Sequence, residues 1–352
     1  QRETGYPMDS WSDEVPFPDP RPYGTYQRTP GAPKTNSGFM EFGPVPNNRE
    51  KELADTMRAQ WAVDQLGKKW DKPFFLAVGL YAPHFPNYCP QKYFDLYQRE
   101  KIELPPYKAD DLDDLPENIR RQKTNRSRIH KRLVQLGAVK EALHGYLACM
   151  SYADAQIGRV LDALDASPYA KDTIVVLWSD HGWHIGEKLI TGKNTLWDDG
   201  ARVPLVFAGP GIKPRQVCGK PAELLDIYPT LLALCELPKN RRLEGHSLVP
   251  QLKDANASRK WPAITTHNHD NHGIRSEYWS FIQYADGSRE LYDMREDPHE
   301  WVNLADNPKY SDVIKEHLKF MPKENRKPAP GSSSRILTRD DKGKVIWQGG
   351  EI

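Results

Sequence analysis

The residues best suited to chemistry are Asp180 and His181, which are adjacent and are followed by Gly182. A carboxylate and a neutral imidazole are both competent metal ligands, and a glycine lets the backbone turn sharply after them. The segment that follows contains a further histidine and two lysines, namely His184, Lys188 and Lys193. Two histidines and two lysines around one aspartate predict a pocket for an anion beside a cation. The alternative interpretation is an ordinary loop.

Two apolar runs are expected to position this loop. Residues 174–178 are continuously apolar and rich in β-branched side chains, which is typical of a strand buried on both faces of a parallel sheet. Residues 203–208 begin a second strand of the same kind. Open α/β sheets collect ligands at the carboxyl ends of their strands. Asp180 and His181 are therefore predicted to lie at a ligand-binding edge.

A third apolar run, residues 74–80, predicts another strand, and it leads directly to His84. Pro83 and Pro86 stiffen the loop around this histidine, so the imidazole should have a defined direction. A single histidine beside a strand is often only structural. Its place after the strand, like that of Asp180 and His181, favours a functional role for His84.

The remaining pattern predicts an α/β fold with a doubly wound, largely parallel sheet. Residues 50–69 and 139–164 have apolar positions at helical spacing, and Asp226 is a plausible N-cap for a further helix. We assign residues 1–252 to this main domain. Within it, residues 1–48 are rich in proline and glycine and are predicted to be irregular.

Residues 253–352 are predicted to form a small C-terminal α+β subdomain. Asp286 and Gly287 lie between two short β-rich runs, residues 279–284 and 290–293, which indicates an antiparallel hairpin. A polar helix near residues 310–320 and a tail rich in lysine, proline, glycine and serine follow.

Composition narrows the classes of function. The 352-residue chain has a formal net charge of +1, so bulk attraction to nucleic acid or to an anionic membrane is not expected. Its apolar runs have the length of strands and are too short to span a bilayer. The four cysteines are dispersed and leave the redox compartment open. The acidic cluster at residues 110–114 and the basic cluster at residues 120–132 are interpreted as solvated surface.

Taken together, these segments resemble the type I sulfatases of the alkaline-phosphatase-like superfamily. The nearest resemblance is to the branch that contains iduronate sulfatase and its bacterial relatives. The similarity rests on six stretches. They are P-F-F-L-A-V-G-L-Y-A-P-H-F-P from residue 73, Y-L-A-C-M-S-Y-A-D-A-Q-I-G-R-V-L from residue 146, W-S-D-H-G-W-H-I-G-E-K from residue 178, R-V-P-L from residue 202, D-I-Y-P-T-L from residue 226 and E-L-Y-D-M-R-E-D-P-H-E from residue 290. Six stretches in the family's order make a specific signal.

The resemblance implies a role for each candidate. Asp180 and His181 would be two ligands of a divalent cation, normally calcium, and Lys193 would contact both the sulfate and the nucleophile. His84 would hold the sulfate or protonate the leaving oxygen. The residue types suit these roles. A hard cation prefers carboxylate oxygen, as in Asp180, and the ammonium of Lys193 can compensate negative charge that develops on the transferring group. The imidazole of His84 can act as a general acid because the usual pKa of histidine is near neutral.

Three further residues are candidates for substrate contact. They are His184, in the loop after Asp180, and His272 and Arg275, in the stretch N-H-G-I-R. The neighbouring histidines at positions 267 and 269 could equally be polar surface residues.

The sequence departs from the family's pattern in two respects. The family usually has a lysine or arginine where this chain has Ala82. In addition, sulfatases make a formylglycine nucleophile from the cysteine or serine of a Cys/Ser-x-Pro/Ala-x-Arg motif, and no such motif occurs here. The strand with paired metal-binding aspartates is also not recognisable. We therefore expect the chain to lack the N-terminal part of a sulfatase and to be inactive alone.

The predicted function is a sulfuric ester hydrolase that acts on a sulfated carbohydrate. One alternative is a phosphatase or phosphonate hydrolase of the same superfamily, since phosphate and sulfate are similar tetrahedral anions. Another is a non-catalytic relative that binds a sulfated glycan. The resemblance implies a periplasmic, secreted or lysosomal location, while the exact substrate and the oligomeric state stay open.

Overall fold

The structure is a computed structural model of the chain, and it describes residues 41–126, 128–325, 337–339, 345–347 and 350–351. Contacts divide the chain into two compact units. The first unit comprises Gln1–Glu103 and Leu133–Ala170, and the second comprises Leu104–Arg132 and Lys171–Ile352. The domain boundary expected between residues 252 and 253 stays a prediction. Among the described residues, no helix is both long and apolar enough to cross a bilayer.

The elements up to residue 170 are mostly helical. They are β1 (Phe42–Val45), α1 (Ala54–Leu66), β2 (Asn87–Pro90), α2 (Gln91–Phe94), α3 (Glu117–Arg126), α4 (Arg128–Gln135) and α5 (Val139–Asp165), with 3₁₀ turns at Asn47–Glu52 and Arg99–Lys101. Helices α1 and α5 confirm the two that were predicted from apolar spacing.

The core of the first unit lies where α5 meets the parallel pair β1 and β2. Val45, Cys89 and Ala148 are completely buried there. Gly145 of α5 is needed because a Cβ at this position would lie 2.8 Å from the Cβ of Phe42. Strand β1 corrects the prediction that residues 1–48 are wholly irregular, while residues 1–40 lie outside the described part.

The strand predicted at residues 74–80 is not observed. This segment is extended, its side chains alternate between half-buried and exposed, and Phe75 is 72% exposed. Alternation is the local signature of a strand, but a strand also requires a neighbour for its backbone hydrogen bonds. No such neighbour occurs among the described residues of the first unit.

The elements from residue 171 onwards are short. They are β3 (Val175–Trp178), β4 (His184–Ile185), β5 (Thr191–Gly192), α6 (Asp198–Ala201), β6 (Leu205–Ala208), α7 (Ile227–Leu234), α8 (Val249–Lys253), β7 (Ala263–Thr266), β8 (His272–Arg275), β9 (Trp279–Gln283), β10 (Arg289–Asp293), α9 (Ser311–Leu318), β11 (Leu337–Arg339), β12 (Val345–Trp347) and β13 (Gly350–Glu351), with 3₁₀ turns at Glu187–Leu189, Leu224–Asp226 and Pro308–Tyr310.

The strand before Asp180 exists, but its surroundings differ from the prediction. Strand β3 pairs antiparallel with β6, so that Val175 faces Ala208 and Trp178 faces Leu205. The pair is only partly covered, and Trp178 is 48% exposed. The expectation of a strand buried on both faces of a parallel sheet is therefore wrong for β3 among the described residues.

Strands β7 to β10 form an antiparallel sheet in the order β10-β9-β8-β7. Gly287, with φ +87°, lies in the turn between β9 and β10, which confirms the predicted hairpin. Phe281 and Leu291 are fully buried against Ile314 of α9, which lies in the predicted polar helix. Strand β8 of this sheet carries His272 and Arg275, two of the predicted substrate contacts.

The acidic cluster contains one residue that is not on the surface. Asp111 is 3% exposed and accepts a 2.7 Å hydrogen bond from Nζ of Lys188, itself 2% exposed. The interpretation of residues 110–114 as solvated surface is wrong at this position. A charged residue is seldom buried unless it has a partner, and here the partner lies 77 residues away in the sequence.

Candidate active site

Gly182 fixes the path of the loop that follows β3. Its N–H donates to the carbonyl of Gly200, and a Cβ at residue 182 would lie 2.2 Å from the carbonyl oxygen of Asp199. A side chain therefore cannot fit between this loop and α6. The sequence suggested a glycine that permits a sharp turn, whereas the structure shows a glycine that permits close packing.

A small hairpin brings Lys193 back to His181. Strands β4 and β5 pair antiparallel, with His184 opposite Gly192, so the chain returns to its starting point after the turn. Lys188 and Leu189 in that turn have positive φ values of 52° and 53°. The result is a distance of 2.6 Å between Nζ of Lys193 and Nε2 of His181.

The hydrogen bonds of His181 define its tautomer. Nδ1 lies 2.8 Å from the carbonyl oxygen of Gly182, which can only accept, so Nδ1 carries the proton. Nε2 then has the lone pair and accepts from Lys193. The burial of Lys193 lowers the pKa of its ammonium, while the charge of Asp180 opposes this shift.

Asp180 and His181 have a geometry that fits a shared cation. Oδ2 of Asp180 lies 3.6 Å from Nε2 of His181. Ligand atoms lie about 2.4 Å from a calcium ion, so two neighbouring ligand atoms at a right angle would be about 3.4 Å apart. The carboxylate is 76% exposed and the imidazole 24% exposed, so an ion can reach both. These two residues fit part of a coordination sphere that needs further oxygen ligands.

One cavity of the second unit collects four of the predicted site residues. It has a volume of about 1150 Å³, and its lining includes Asp180, His181, Lys193 and Arg275. Arg275, at the end of β8, donates from Nε to Oδ1 of Asp198 over 3.3 Å. The two predicted cationic side chains, Lys193 and Arg275, thus line the same cavity as the candidate cation ligands.

The other two predicted substrate contacts are buried. His184 is 0% exposed, and its Nε2 lies 2.7 Å from Oγ1 of Thr195. His272 is 1% exposed, its Nδ1 lies 2.9 Å from Oγ1 of Thr266, and burial lowers its pKa. Neither ring is among the residues that line the cavity. Their role as substrate contacts stays a prediction.

His184 belongs to a second group of potential metal ligands. One ligand atom each of His184, Glu187 and Asp199 lies within 4.8 Å of the others. Burial is the main cause of the raised pKa of both carboxyl groups. Oε2 of Glu187 already accepts a 2.6 Å hydrogen bond from the N–H of Ile185. The same contacts are also compatible with a structural role, in which these three residues stabilise the β4–β5 hairpin through hydrogen bonds.

Lys188 does not contribute to the anion pocket that the sequence suggested. Its Nζ donates to Asp111 and to the main-chain carbonyl of Glu300. The same ammonium lies 5.4 Å from the ring centroid of Trp197 and 5.2 Å from that of Tyr292. Lys188 therefore anchors the hairpin turn in the core, and of the two lysines in this loop it is Lys193 that lines the cavity.

His84 lies in the first unit, in a loop with several internal contacts. Its Nδ1 donates to the carbonyl of Phe85 over 2.5 Å, and the hydroxyl of Tyr81 donates to the same oxygen over 2.6 Å. The two rings are 4.9 Å apart. The amide of Asn87 donates to the carbonyl of Pro83 over 2.7 Å. The prediction of a stiff loop agrees with these contacts, while the functional role of His84 stays a prediction.

Sequence reasoning missed the residues that hold these groups in place. Asp198 pairs with Arg275, and Asp55 accepts hydrogen bonds from the backbone that precedes His84. An aspartate in the first turn of a helix usually indicates only a stabilised helix end. No signal in the sequence separates these two aspartates from ordinary first-turn acids, because their partners lie 26 to 77 residues away.

Comparison with known proteins settles the family. The sulfatase family model matches residues 2–237, and the model for the C-terminal part of N-sulphoglucosamine sulphohydrolase matches residues 186–327. The chain belongs to the sulfatase family. A sulfatase from Formosa agariphila is 39% identical over 316 residues, which cover 88% of this chain and 62% of that protein.

A second sulfatase relative points to a branch of the family. Delta 4,5-hexuronate-2-O-sulfatase from Bacteroides thetaiotaomicron is 31% identical over 209 residues, which are 53% of this chain and 43% of that protein. It supports the resemblance to the iduronate sulfatase-like branch. The matched regions cover 62% and 43% of these two relatives, so this chain spans less than two thirds of the length of either.

A solved structure supports the fold class. The phosphonate monoester hydrolase of Agrobacterium radiobacter superposes with a TM-score of 0.68 at 22% identity, covering 79% of this chain and 62% of that chain. At this identity the likeness concerns the fold alone. The chain thus has the alkaline-phosphatase-like α/β fold, followed by a C-terminal sheet.

Proposed function

We propose that the protein containing this chain is a sulfuric ester hydrolase that removes sulfate from a sulfated carbohydrate. The observation that carries the proposal is the convergence of Asp180, His181 and Lys193 on one cavity of a sulfatase-family chain. Carbohydrate is the proposed substrate class because the hexuronate relative is named for such a substrate.

Asp180 and His181 are the proposed calcium ligands. When bound, the cation would polarise an oxygen of the sulfate and neutralise charge that develops there. The lone pair on Nε2 of His181 can serve either Lys193 or a cation, but not both. Nε2 of His181 would hold the cation, and the Lys193 ammonium, 2.6 Å away, would bind the sulfate.

Lys193 is the proposed partner of the sulfate and the nucleophile. An ammonium that is partly desolvated stabilises developing anionic charge more strongly than one in bulk water. Arg275 is proposed to bind the acidic substrate from the same cavity. In the first unit, His84 is proposed to hold the sulfate or to protonate the leaving oxygen. A formylglycine nucleophile is expected outside these 352 residues.

The test uses the longest reading frame of the source that contains this chain, expressed together with a formylglycine-generating enzyme. Hydrolysis of 4-nitrophenyl sulfate is expected to depend on calcium and to fall sharply in Lys193→Ala and Asp180→Asn. Lys213→Ala removes another lysine from the lining of the same cavity and serves as the matched control. Full activity in Lys193→Ala would contradict the proposed role of this lysine.

One rival from the same superfamily has specific structural support, because a phosphonate hydrolase shares the fold. Sulfate and phosphonate esters are both tetrahedral anions, and a site with a cation and a lysine could accept either. The sulfatase model, which matches residues 2–237, favours the sulfate ester. Turnover of phenyl phosphonate esters by the same preparation distinguishes the two functions.

A further inference from the structure

Asp55 is a buried carboxylate that holds the loop carrying His84. It lies in the first turn of α1 and is 4% exposed. Both of its oxygens lie within hydrogen-bonding distance of the N–H of Tyr81, at 2.9 and 3.0 Å, and Oδ2 also accepts from the N–H of Ala82 at 2.8 Å. The two peptide groups that enter the His84 loop are thus bound to one side chain.

Arg58 stabilises the charge of this carboxylate. One turn further along α1, its guanidinium donates to Oδ1 of Asp55 over 2.6 Å. A buried carboxylate is costly unless it is both paired and hydrogen-bonded, and Asp55 satisfies both requirements. Hydrogen bonds to an ionised acceptor are also about twice as strong as neutral ones. The attachment of the loop to α1 is therefore firm.

The loop itself transmits this attachment to the imidazole. The N–H of His84 donates to the carbonyl of Tyr81 over 2.9 Å, and the ring and the Tyr81 hydroxyl both bind the carbonyl of Phe85. Residues 81 to 85 thus form one hydrogen-bonded turn. If its base at Tyr81 and Ala82 moves, the imidazole moves with it.

We propose that Asp55 is a positioning residue for His84, and that it fixes the imidazole by binding the backbone of Tyr81 and Ala82. This proposal rests on the proposed function, in which His84 contacts the sulfate ester. Such a role matters because catalytic groups must lie within a fraction of an ångström of their productive positions, and a small displacement of one group lowers the rate strongly. Asp55 would act only through the backbone of this loop and would not contact the reacting atoms.

The same helix end provides a matched control. Thr56 is 8% exposed, and Oγ1 of its side chain lies 2.8 Å from the hydroxyl of Tyr152 on α5. Thr56→Val removes one buried polar contact next to Asp55 without removing an acceptor from the His84 loop. Asp55→Asn has nearly the same shape as the native residue, but it replaces one acceptor oxygen by an NH₂ group that faces backbone donors.

The experiment compares Asp55→Asn with Thr56→Val in the complete sulfatase. For Asp55→Asn we expect kcat for 4-nitrophenyl sulfate to fall by about 10- to 100-fold with little change in KM, because geometry rather than binding is lost. Thr56→Val should lower Tm while kcat stays close to the native value. Asp55→Glu keeps the charge but shifts the carboxylate by one methylene, so it should show a smaller loss of kcat.

A second readout does not require turnover. In protein with ¹⁵N-labelled histidine, His84 should show a single tautomer protonated at Nδ1, as its bond to Phe85 requires. Asp55→Asn should shift or broaden the His84 signals, and Thr56→Val should leave them unchanged. If native protein hydrolyses no sulfate ester, the proposed function fails, and the His84 spectrum still decides whether Asp55 positions the ring. Native-like kcat and His84 signals in Asp55→Asn would overturn the proposal.

Discussion

Glu300 should make the stability of this protein fall as the pH rises. Its carboxyl group is completely buried, and burial raises its pKa from 4.5 to about 8, although hydrogen bonds from Ser280 and from the N–H of Asp198 act in the opposite direction. Because the folded pKa lies above the unfolded one, the folded state binds more protons between these two values. The stabilising contribution of Glu300 is therefore fully present below about pH 4.5, is lost as the pH rises through about 8, and does not change well above that pH.

The magnitude follows from the two pKa values. A shift from 4.5 to about 8 corresponds to a total loss of about 5 kcal/mol once Glu300 is ionised in both states. Between pH 7 and pH 9 the contribution of this one group to the free energy of unfolding should fall by about 1 kcal/mol. For a chain of this size that loss corresponds to a decrease in Tm of about 2 °C.

Glu300→Gln should remove this dependence. The amide oxygen can accept from the N–H of Asp198, and the NH₂ group can donate to Oγ of Ser280, so both hydrogen bonds have a substitute. The assay is urea denaturation of native protein and variant at pH 7 and pH 9. The stability of the variant relative to native protein should increase by about 1 kcal/mol across this interval.

The control for Glu300→Gln is Glu316→Gln, which removes an exposed carboxylate on α9. Its pH dependence should match that of native protein. If native protein and Glu300→Gln lose stability in parallel between pH 7 and pH 9, the assignment of a raised pKa to Glu300 is wrong.

Two further predictions concern buried contacts of the second unit. Lys188→Met should destabilise the protein by about 3–5 kcal/mol in urea denaturation, because it leaves the Asp111 carboxylate buried without a cationic partner. Adding Asp111→Leu to this variant should recover part of the lost stability. Gly182→Ala should lower Tm and weaken calcium binding, because its Cβ would overlap the carbonyl oxygen of Asp199. Gly67→Ala is the matched control, since its nearest neighbour would be at 3.6 Å, and an unchanged or higher Tm is expected there. Equal effects of the two alanine substitutions would contradict the packing argument.

Local patterns predicted the elements whose periodicity is repeated over many residues. Helix α5 was expected at residues 139–164 and spans Val139–Asp165, because apolar positions recur along one face for seven turns. The hairpin of β9 and β10 was predicted because Asp286 and Gly287 supply the turn that such strands need. In both cases the information lies within a few residues of the element.

The wrong predictions concern features that depend on distant partners. Strand β3 was recognised, but its antiparallel pairing with β6 involves residues that are about 30 positions away. The extended segment at residues 74–80 has the composition of a strand and lacks a paired neighbour among the described residues. Apolar sequence indicates that a segment is extended, while the pairing depends on tertiary structure.

Charged residues show the same limit at the site. Asp180 and His181 were identified because they directly follow an apolar strand, and open α/β sheets collect ligands at the carboxyl ends of their strands. Lys188 and Lys193 look alike in the sequence, but one is buried against Asp111 and the other reaches the cavity. Only the path of the β4–β5 hairpin separates these two roles.

The most direct test of the central claim is a comparison of kcat/KM for 4-nitrophenyl sulfate and a phenyl phosphonate ester. It is made on the complete, formylglycine-containing protein, before and after removal of divalent cations with EDTA. We expect a clear preference for the sulfate ester, and we expect hydrolysis of that ester to be lost with EDTA and to return with calcium. A preference for the phosphonate, or folded protein that binds sulfated oligosaccharide without hydrolysing either ester, would contradict it.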